Sequence, residues 1–320
     1  MKILITGASG FIGTNLLQSM IEKGFGVINV DINSPQNDKH FPFWKKVDIT
    51  DYASLKEVVT VFDPDYIVHL AARTDLNGKT LLDYSANTIG VTNILQISKE
   101  CANLKKMIIT SSMLVCYAGY YPKSQTDYAP TTMYGESKVI TEKSVWENPP
   151  VCDWAIIRPT SMWGEWFRAP YRSFFDMVLS QKYFHIGDKG CTKTYGYIGN
   201  AIYQIESILF TPTKCLDNKI FYIGDHPTTD IEVWANEIAN EVHLKIRRAP
   251  FAFIKGLALI GDCLNWLGIT FPMTSFRLKN MTTNNIMDLT NTNEIAPNSP
   301  YTRIEGIQRT ISWMQRSRIK

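Results

Sequence analysis

Seven residues close to the amino terminus, Gly7-Ala8-Ser9-Gly10-Phe11-Ile12-Gly13, limit what this chain can fold into more than any other feature. They follow an apolar, β-branched run at 2–6 that reads as a buried strand, and they lead into 14–23, which reads as a helix. Each glycine at this spacing has a mechanical purpose. Gly7 permits a tight turn, Gly10 lets the backbone approach a pyrophosphate, and Gly13 lets helix and strand pack closely. The helix start around Phe11 and Ile12 then offers unpaired N–H groups and a partial positive charge to phosphate oxygens. Asp31 follows a second predicted strand, 26–30, and stands 18 residues after Gly13. A carboxylate there accepts hydrogen bonds from both hydroxyls of an adenosine ribose and repels a 2′-phosphate. No Arg or Lys occupies 32–36 to hold such a phosphate, so the sequence predicts NAD rather than NADP.

The strand–helix rhythm continues. Further strands are predicted at 65–70, 106–111 and 154–158, and helices at 54–61, 87–102 and 134–146. This alternation implies right-handed βαβ units, and the fold class is α/β with a Rossmann-type doubly wound parallel sheet. After about residue 159 the rhythm breaks. Aromatic residues crowd together at Trp163, Trp166, Phe167, Tyr171, Phe174 and Phe175, a cluster that reads first as packing between domains. Helices are predicted again at 231–241 and near 305–316. The expected division is a dinucleotide-binding domain at 1–160, with segments near 191–223 as candidates to complete it. A smaller mixed domain over most of 161–320 would bind substrate.

Composition removes several classes. A net charge of +3 with the signs mixed, and no Lys/Arg-rich stripe, argues against a nucleic-acid partner. The six cysteines, Cys101, Cys116, Cys152, Cys191, Cys215 and Cys263, form no CxxC pair. A chain this long needs no disulfide staples, and a reduced, cytoplasmic setting is expected. The first residues lack the pattern of a signal peptide. The segment 251–271 is long and apolar, but Lys255 and Asp262 interrupt it. A centred charge costs a membrane span about 2.5–3.5 kcal/mol, so a core helix is expected there instead of a span, with loose membrane-surface association left open. His40, His69, His185, His226 and His243 show no metal-ligand spacing, and no metal is expected.

Further motifs join the glycine loop and Asp31. They are Val47-Asp48-Ile49, His69-Leu70-Ala71-Ala72, Asn87, Gly90-Val91-Thr92-Asn93-Ile94-Leu95, Ser111-Ser112, Tyr134-Gly135-Glu136-Ser137-Lys138 and Arg158-Pro159. Together they resemble the extended short-chain dehydrogenase/reductase family, in its NAD-dependent epimerase/dehydratase group. The resemblance is nearly continuous over the first 160 residues and looser beyond. It implies that Asp48 and Ile49 flank an adenine, and that Leu70, Ala71 and Ala72 lie beside the pyrophosphate and ribose. It implies further that Asn87 and Pro159 belong to the cofactor site. Thr74, Ser112, Ser161, Arg172 and Lys193 would then stand on the substrate side, Lys193 at a position where the family often has an arginine for the diphosphate. A homodimer acting on a nucleotide sugar is the implied working unit.

The residues themselves support a proton-transfer reaction. Tyr134 and Lys138 are four apart and share a helix face. A cation beside a phenol stabilises the phenolate and makes it a usable base near neutrality. Ser112 follows a predicted strand, where parallel sheets place their ligands. In the resembling family the tyrosine takes a proton from a sugar hydroxyl as hydride leaves to the nicotinamide, and the lysine also holds the nicotinamide ribose. Dehydratases of that family carry an Asp-Glu pair after the serine position. Met113 and Leu114 stand there instead, and neither can act as an acid or a base. The expectation is an NAD-dependent nucleotide-sugar epimerase. The alternatives are a one-way oxidoreductase, such as a keto-sugar reductase or a hydroxysteroid-type dehydrogenase, and a catalytically silent NAD-binding protein.

Overall fold

Apolar runs of four to seven residues, bounded by turns, build the first half. The computed structural model describes residues 1–169, 171–188, 190–213, 219–269, 271 and 273–318. Cys215 lies outside the described residues, as does Thr270 of the predicted apolar segment. In chain order the first elements are β1 (Lys2–Thr6), α1 (Phe11–Glu22), β2 (Gly26–Asp31), β3 (Trp44–Lys46) and α2 (Tyr52–Phe62). Next come β4 (Tyr66–His69), α3 (Ser85–Ser98), β5 (Lys106–Thr110), α4 (Met133–Glu147), β6 (Asp153–Pro159) and β7 (Ser161–Trp163). They are followed by α5 (Tyr171–Leu179), β8 (Phe184–Ile186), β9 (Thr192–Lys193), β10 (Tyr195–Tyr197), α6 (Ile198–Phe210) and β11 (Ile220–Ile223). The last are β12 (Thr229–Asp230), α7 (Ile231–Glu241), β13 (Arg247–Ala249), α8 (Phe251–Trp266), α9 (Ser275–Thr282), α10 (Thr290–Ile295) and α11 (Arg303–Arg318).

Seven strands form one parallel sheet in the order β11-β6-β5-β4-β1-β2-β3. Alternate residues face opposite layers, as strand geometry requires. Ile3, Ile5, Val27, Val68, Ile108 and Ile157 enter the core shared with α1 and α6. Leu4, Ile28, Val30, Ile67, Met107 and Ile156 enter the core shared with α2 and α3. A sheet covered on both faces needs such continuous apolar strands. The order turns back at β1, which pairs with β2 on one side and β4 on the other. The carboxyl ends of β1 and β4 therefore open a crevice, the usual ligand position in a doubly wound sheet.

Several helices start earlier than their patterns suggested, two of them with a clear cap. α1 begins at Phe11 because Gly10, in extended conformation, serves as its N-cap. α2 begins at Tyr52 because the Asp51 side chain accepts from Ser54 N at 3.2 Å. The Ile220–Ile223 strand is the outer member of the main sheet, and α6 packs against α1.

The second layer carries β7 paired with β10, β9 with β12 and β13 with β8. Its aromatic cluster is packing: Trp163 is buried against Phe175, Tyr197 and Trp234, with ring centroids 5.6, 5.1 and 5.4 Å away. The core-helix expectation for 251–271 is corrected. In α8 only Ile254, Ala258 and Gly261 are buried, against Ile186 and Leu278, while Phe253 is 60% and Trp266 87% exposed. A helix apolar on every side gives no sequence signal of which side meets water. Among the described residues, no helix is long and apolar enough to cross a membrane.

Candidate active site

The glycine loop sits at the crevice. Gly7 has a φ of 73° and donates from its N–H to Val30 O at 2.8 Å. A Cβ on Gly7 would come within 2.5 Å of Ala71 N, so the loops after β1 and β4 touch here. A Cβ on Gly13 would lie 2.4 Å from Ala8 Cα, which would force α1 away from the loop. Before Gly10 the space is open: its built Cβ meets only Gly7 O, at 3.1 Å. α1 starts there with no side-chain cap and no acidic residue in its first turn. An uncapped helix start facing an open cradle fits a diphosphate.

Asp31 lies at the rim of this cradle and is buried. Its Oδ2 accepts from Ser9 N at 3.0 Å and its Oδ1 from Asn33 N at 2.9 Å. Burial pushes its pKa up, and these N–H groups pull it back. Both oxygens keep a lone pair for a ribose hydroxyl. A cation from a distant part of the chain also approaches this rim. Arg168 Nε donates to Gln36 Oε1 at 3.0 Å, and Gln36 Nε2 donates to Ser9 O at 3.1 Å. Asn15 Nδ2 ties the same distant segment to α1 through Glu165 O, at 3.0 Å.

Other residues expected at the cofactor line the same crevice or brace it. Asp48 is exposed, and its Oδ1 accepts from Thr50 N and Thr50 Oγ1 at 2.9 and 2.8 Å, a turn that leads into α2. Ile49 is buried on Gly90, where a Cβ would sit 2.4 Å from Ile49 Cδ1. Leu70, Ala71 and Ala72 are half-buried, with Ala71 N donating to Thr6 Oγ1 at 3.3 Å. Asn87 is fully buried and acts as a brace: its Oδ1 accepts from Arg73 N at 2.8 Å. Its Nδ2 donates to Arg73 O at 3.0 Å and to Ser137 Oγ at 2.8 Å. Asn87 thus fixes the loop after β4 against α4. Thr74 follows on that loop and is exposed.

The structure brings Ser112, Tyr134 and Lys138 together under this crevice. Ser112 follows β5, and its Oγ accepts from Leu114 N at 3.1 Å. Gly135 lets α4 come close to this turn, since a Cβ there would lie 2.4 Å from Leu114 O. Burial drives the Tyr134 phenol up to about 12, and Ser112 opposes the rise. Lys138 is also buried, which brings its pKa down to about 8 against the pull of Glu142. The Lys138 Nζ donates to Thr110 O at 2.9 Å, because a buried ammonium needs an acceptor. His69, at the end of β4, holds Thr6 Oγ1 at 2.8 Å through Nδ1. Burial and then the Lys138 charge push its pKa down to about 3, so the ring is neutral.

Pro159 ends β6 and Ser161 begins β7, just past the sheet edge. Burial raises the pKa of Tyr171, a residue the sequence reading placed only in the aromatic cluster, and Ser161 opposes the rise. Tyr171 in turn raises the pKa of the Tyr134 phenol. The two expected cations point elsewhere. Arg172 pairs with Asp176 at 3.5 Å and lies over Trp313. Lys193 Nζ donates to Asn280 O at 2.5 Å, in α9. Among the described residues no group of three His, Cys, Asp or Glu is placed to hold a metal.

The model of the NAD dependent epimerase/dehydratase family matches residues 3–189. A curated relative from Escherichia coli O157:H7, N-acetyl-alpha-D-glucosaminyl-diphospho-ditrans,octacis-undecaprenol 4-epimerase, is 26% identical over 98% of this chain and 95% of its own. A decarboxylating sterol-4-alpha-carboxylate 3-dehydrogenase from Saccharomyces cerevisiae is 24% identical over 98% of this chain and 97% of its own. Among solved structures, UDP-glucose 4-epimerase from Thermotoga maritima is similar with a TM-score of 0.75 at 20% identity, covering 99% of each chain.

Proposed function

The chain belongs to the NAD dependent epimerase/dehydratase family, and from that premise we propose that it is an NAD-dependent epimerase of nucleotide sugars. The observation that carries the reading is the buried Ser112–Tyr134–Lys138 set beside an open glycine cradle that fits a diphosphate. When bound, NAD supplies the hydride acceptor and, in its oxidised form, a positive charge. Tyr134 Oη takes the proton of a sugar hydroxyl whose oxygen Ser112 holds. The buried Lys138 ammonium keeps positive charge near the phenolate that forms. The keto sugar turns over in the site and would take the hydride back on the opposite face of its carbonyl carbon, while Tyr134 returns its proton to the carbonyl oxygen. Dehydration has no acid or base here, because Met113 and Leu114 follow Ser112. An epimerase must recover its hydride and gains from retaining its dinucleotide. The contacts of Asn15 with Glu165 and of Gln36 with Arg168, which close over the crevice rim, favour such retention.

A second reading concerns what carries the sugar. Two relatives that span nearly all of this chain act, by name, on a polyprenol-linked sugar and on a sterol. A lipid-diphosphate sugar is the carrier that the first of these names suggests. The working unit is a cytoplasmic homodimer in carbohydrate biosynthesis; light scattering on the eluted protein gives its mass.

The test is to denature the purified protein and identify what nucleotide it releases. About one NAD per chain is expected, and turnover of a sugar substrate with no added cofactor. An empty protein that works only with added NADH or NADPH would overturn the epimerase in favour of a one-way oxidoreductase. Asp31→Ala should weaken NAD by about 10-fold to 100-fold, the equivalent of about 1.5–3 kcal/mol for a charge-assisted hydrogen bond, and NADP far less. Arg168 near the same rim strengthens that contrast, and titration of both dinucleotides measures it. An unchanged NAD-to-NADP ratio would take Asp31 out of the ribose contact.

A further inference from the structure

α8 is built inside out for a protein that meets only water. Its buried stripe is short, and its outer face carries Phe253, Leu259, Ile260 and Trp266, which are 60, 55, 53 and 87% exposed. Leu267 and Ile269, just beyond its end, and Phe276 at the start of α9 continue the same surface, each more than half exposed. On a helix, Ala252, Phe253, Gly256, Leu259, Ile260, Cys263, Trp266 and Leu267 share one side, with Lys255 and Asp262 only at its border. An apolar surface of this continuity marks a binding face, whereas scattered exposed apolar residues do not.

Charge says what binds. Residues 245–279 contain Lys245, Arg247, Arg248, Lys255, Arg277 and Lys279 against Asp262 alone, a net charge of +5. The whole chain carries +3, so everything outside this segment sums to −2. All six cations are exposed, and Arg248 also pairs with Glu232. Apolar side chains with a Trp, in a segment whose positive charge the rest of the chain does not share, match the interface of an anionic bilayer. A second copy of the chain would bring the same positive charge and be repelled.

We propose that the outer face of α8, with the start of α9, docks this protein on the surface of an anionic lipid membrane. The helix lies in the plane of the headgroups with Phe253, Leu259, Ile260 and Trp266 below them and the cations at phosphate level. The docked face is two steps from the chemistry. α8 packs on α9, and Asn285, just after α9, accepts from Gly119 N at 3.2 Å and reaches Met113 Sδ at 3.8 Å. Met113 adjoins Ser112. The catalytic cleft is thereby held close to the lipid, whichever carrier bears the sugar.

Flotation of the full-length protein with vesicles tests this. With phosphatidylcholine containing about one-third phosphatidylglycerol, the protein should float. It should float poorly with phosphatidylcholine alone, and poorly as salt rises from about 0.1 M to about 1 M and the Debye length falls from about 10 to about 3 Å. Leu259→Asn/Ile260→Asn/Trp266→Ser should keep its fold by circular dichroism and its dinucleotide content, and lose vesicle binding by about tenfold or more. A single Trp266→Ser variant serves if the triple variant unfolds. Failure of the wild type to float, or equal flotation of the variants, would overturn the proposal. So would variants that only split an oligomer, which would make α8 a subunit interface.

Discussion

Tyr134→Phe lowers turnover by about a thousandfold or more and leaves dinucleotide content and melting temperature nearly unchanged. The phenol is buried, Ser112 opposes the rise that burial gives its pKa, and its ring packs 6.1 Å from that of Tyr84. Phenylalanine preserves that packing and deletes only the proton acceptor. General acid–base catalysis by one positioned group contributes about 10²–10⁴-fold. Met113 has only a thioether and His69 is neutral, turned to Thr6. The assay is single-turnover hydride transfer, which separates chemistry from binding. Normal turnover in Tyr134→Phe would remove the mechanism proposed here.

The second large effect is on stability. Glu142→Gln should cost about 3–5 kcal/mol, because it leaves the Arg158 guanidinium buried without its counter-charge. Arg158 Nε and Nη2 donate to the two Glu142 oxygens at 2.7 Å each, and both residues are all but inaccessible. Nη1 donates to Tyr222 OH and Nη2 to Gln125 O, so the pair also joins β6 to β11 and to the loop before α4. Calorimetry should show a melting temperature lower by about 10 °C. Glu142→Leu with Arg158→Met removes both charges and should recover much of the loss. If Glu142→Gln melts with the wild type, the pair contributes nothing. Glu142 is also the group that holds the Lys138 pKa up against burial, so the variant's pH–rate profile should move as well.

The sequence read well where local rules decide. The glycine loop needed only its flanking strand and helix to be interpreted, and Ser112, Tyr134 and Lys138 follow from spacing on elements that the periodicity located. Three things were illegible for physical reasons. Arg168 meets Gln36 across 132 positions, and no local pattern carries such a contact. Lys193 and Arg172 have the right charge, but long flexible side chains choose among acceptors only once the fold exists, and theirs became Asn280 O and Asp176. α8 is apolar almost all round, so its composition could not reveal which face packs on Leu278 and which stays outside.

The covering of the sheet has a consequence during synthesis. α6 and β11 close the side of the sheet that β1, β5 and β6 share with α1, and they come from the chain after Tyr197. Once only the first 160 residues have been made, six parallel strands exist whose apolar surface on this side is covered by α1 without α6 and β11. Ile3, Ile5, Val68, Ile108 and Ile157 wait for Ile202, Ile205, Ile208 and Phe221 to arrive. Nascent chains in that condition are prone to aggregate and are natural clients of chaperones. A gene fragment cut at the apparent end of the dinucleotide half should yield insoluble protein, and one extended through Ile223 should not.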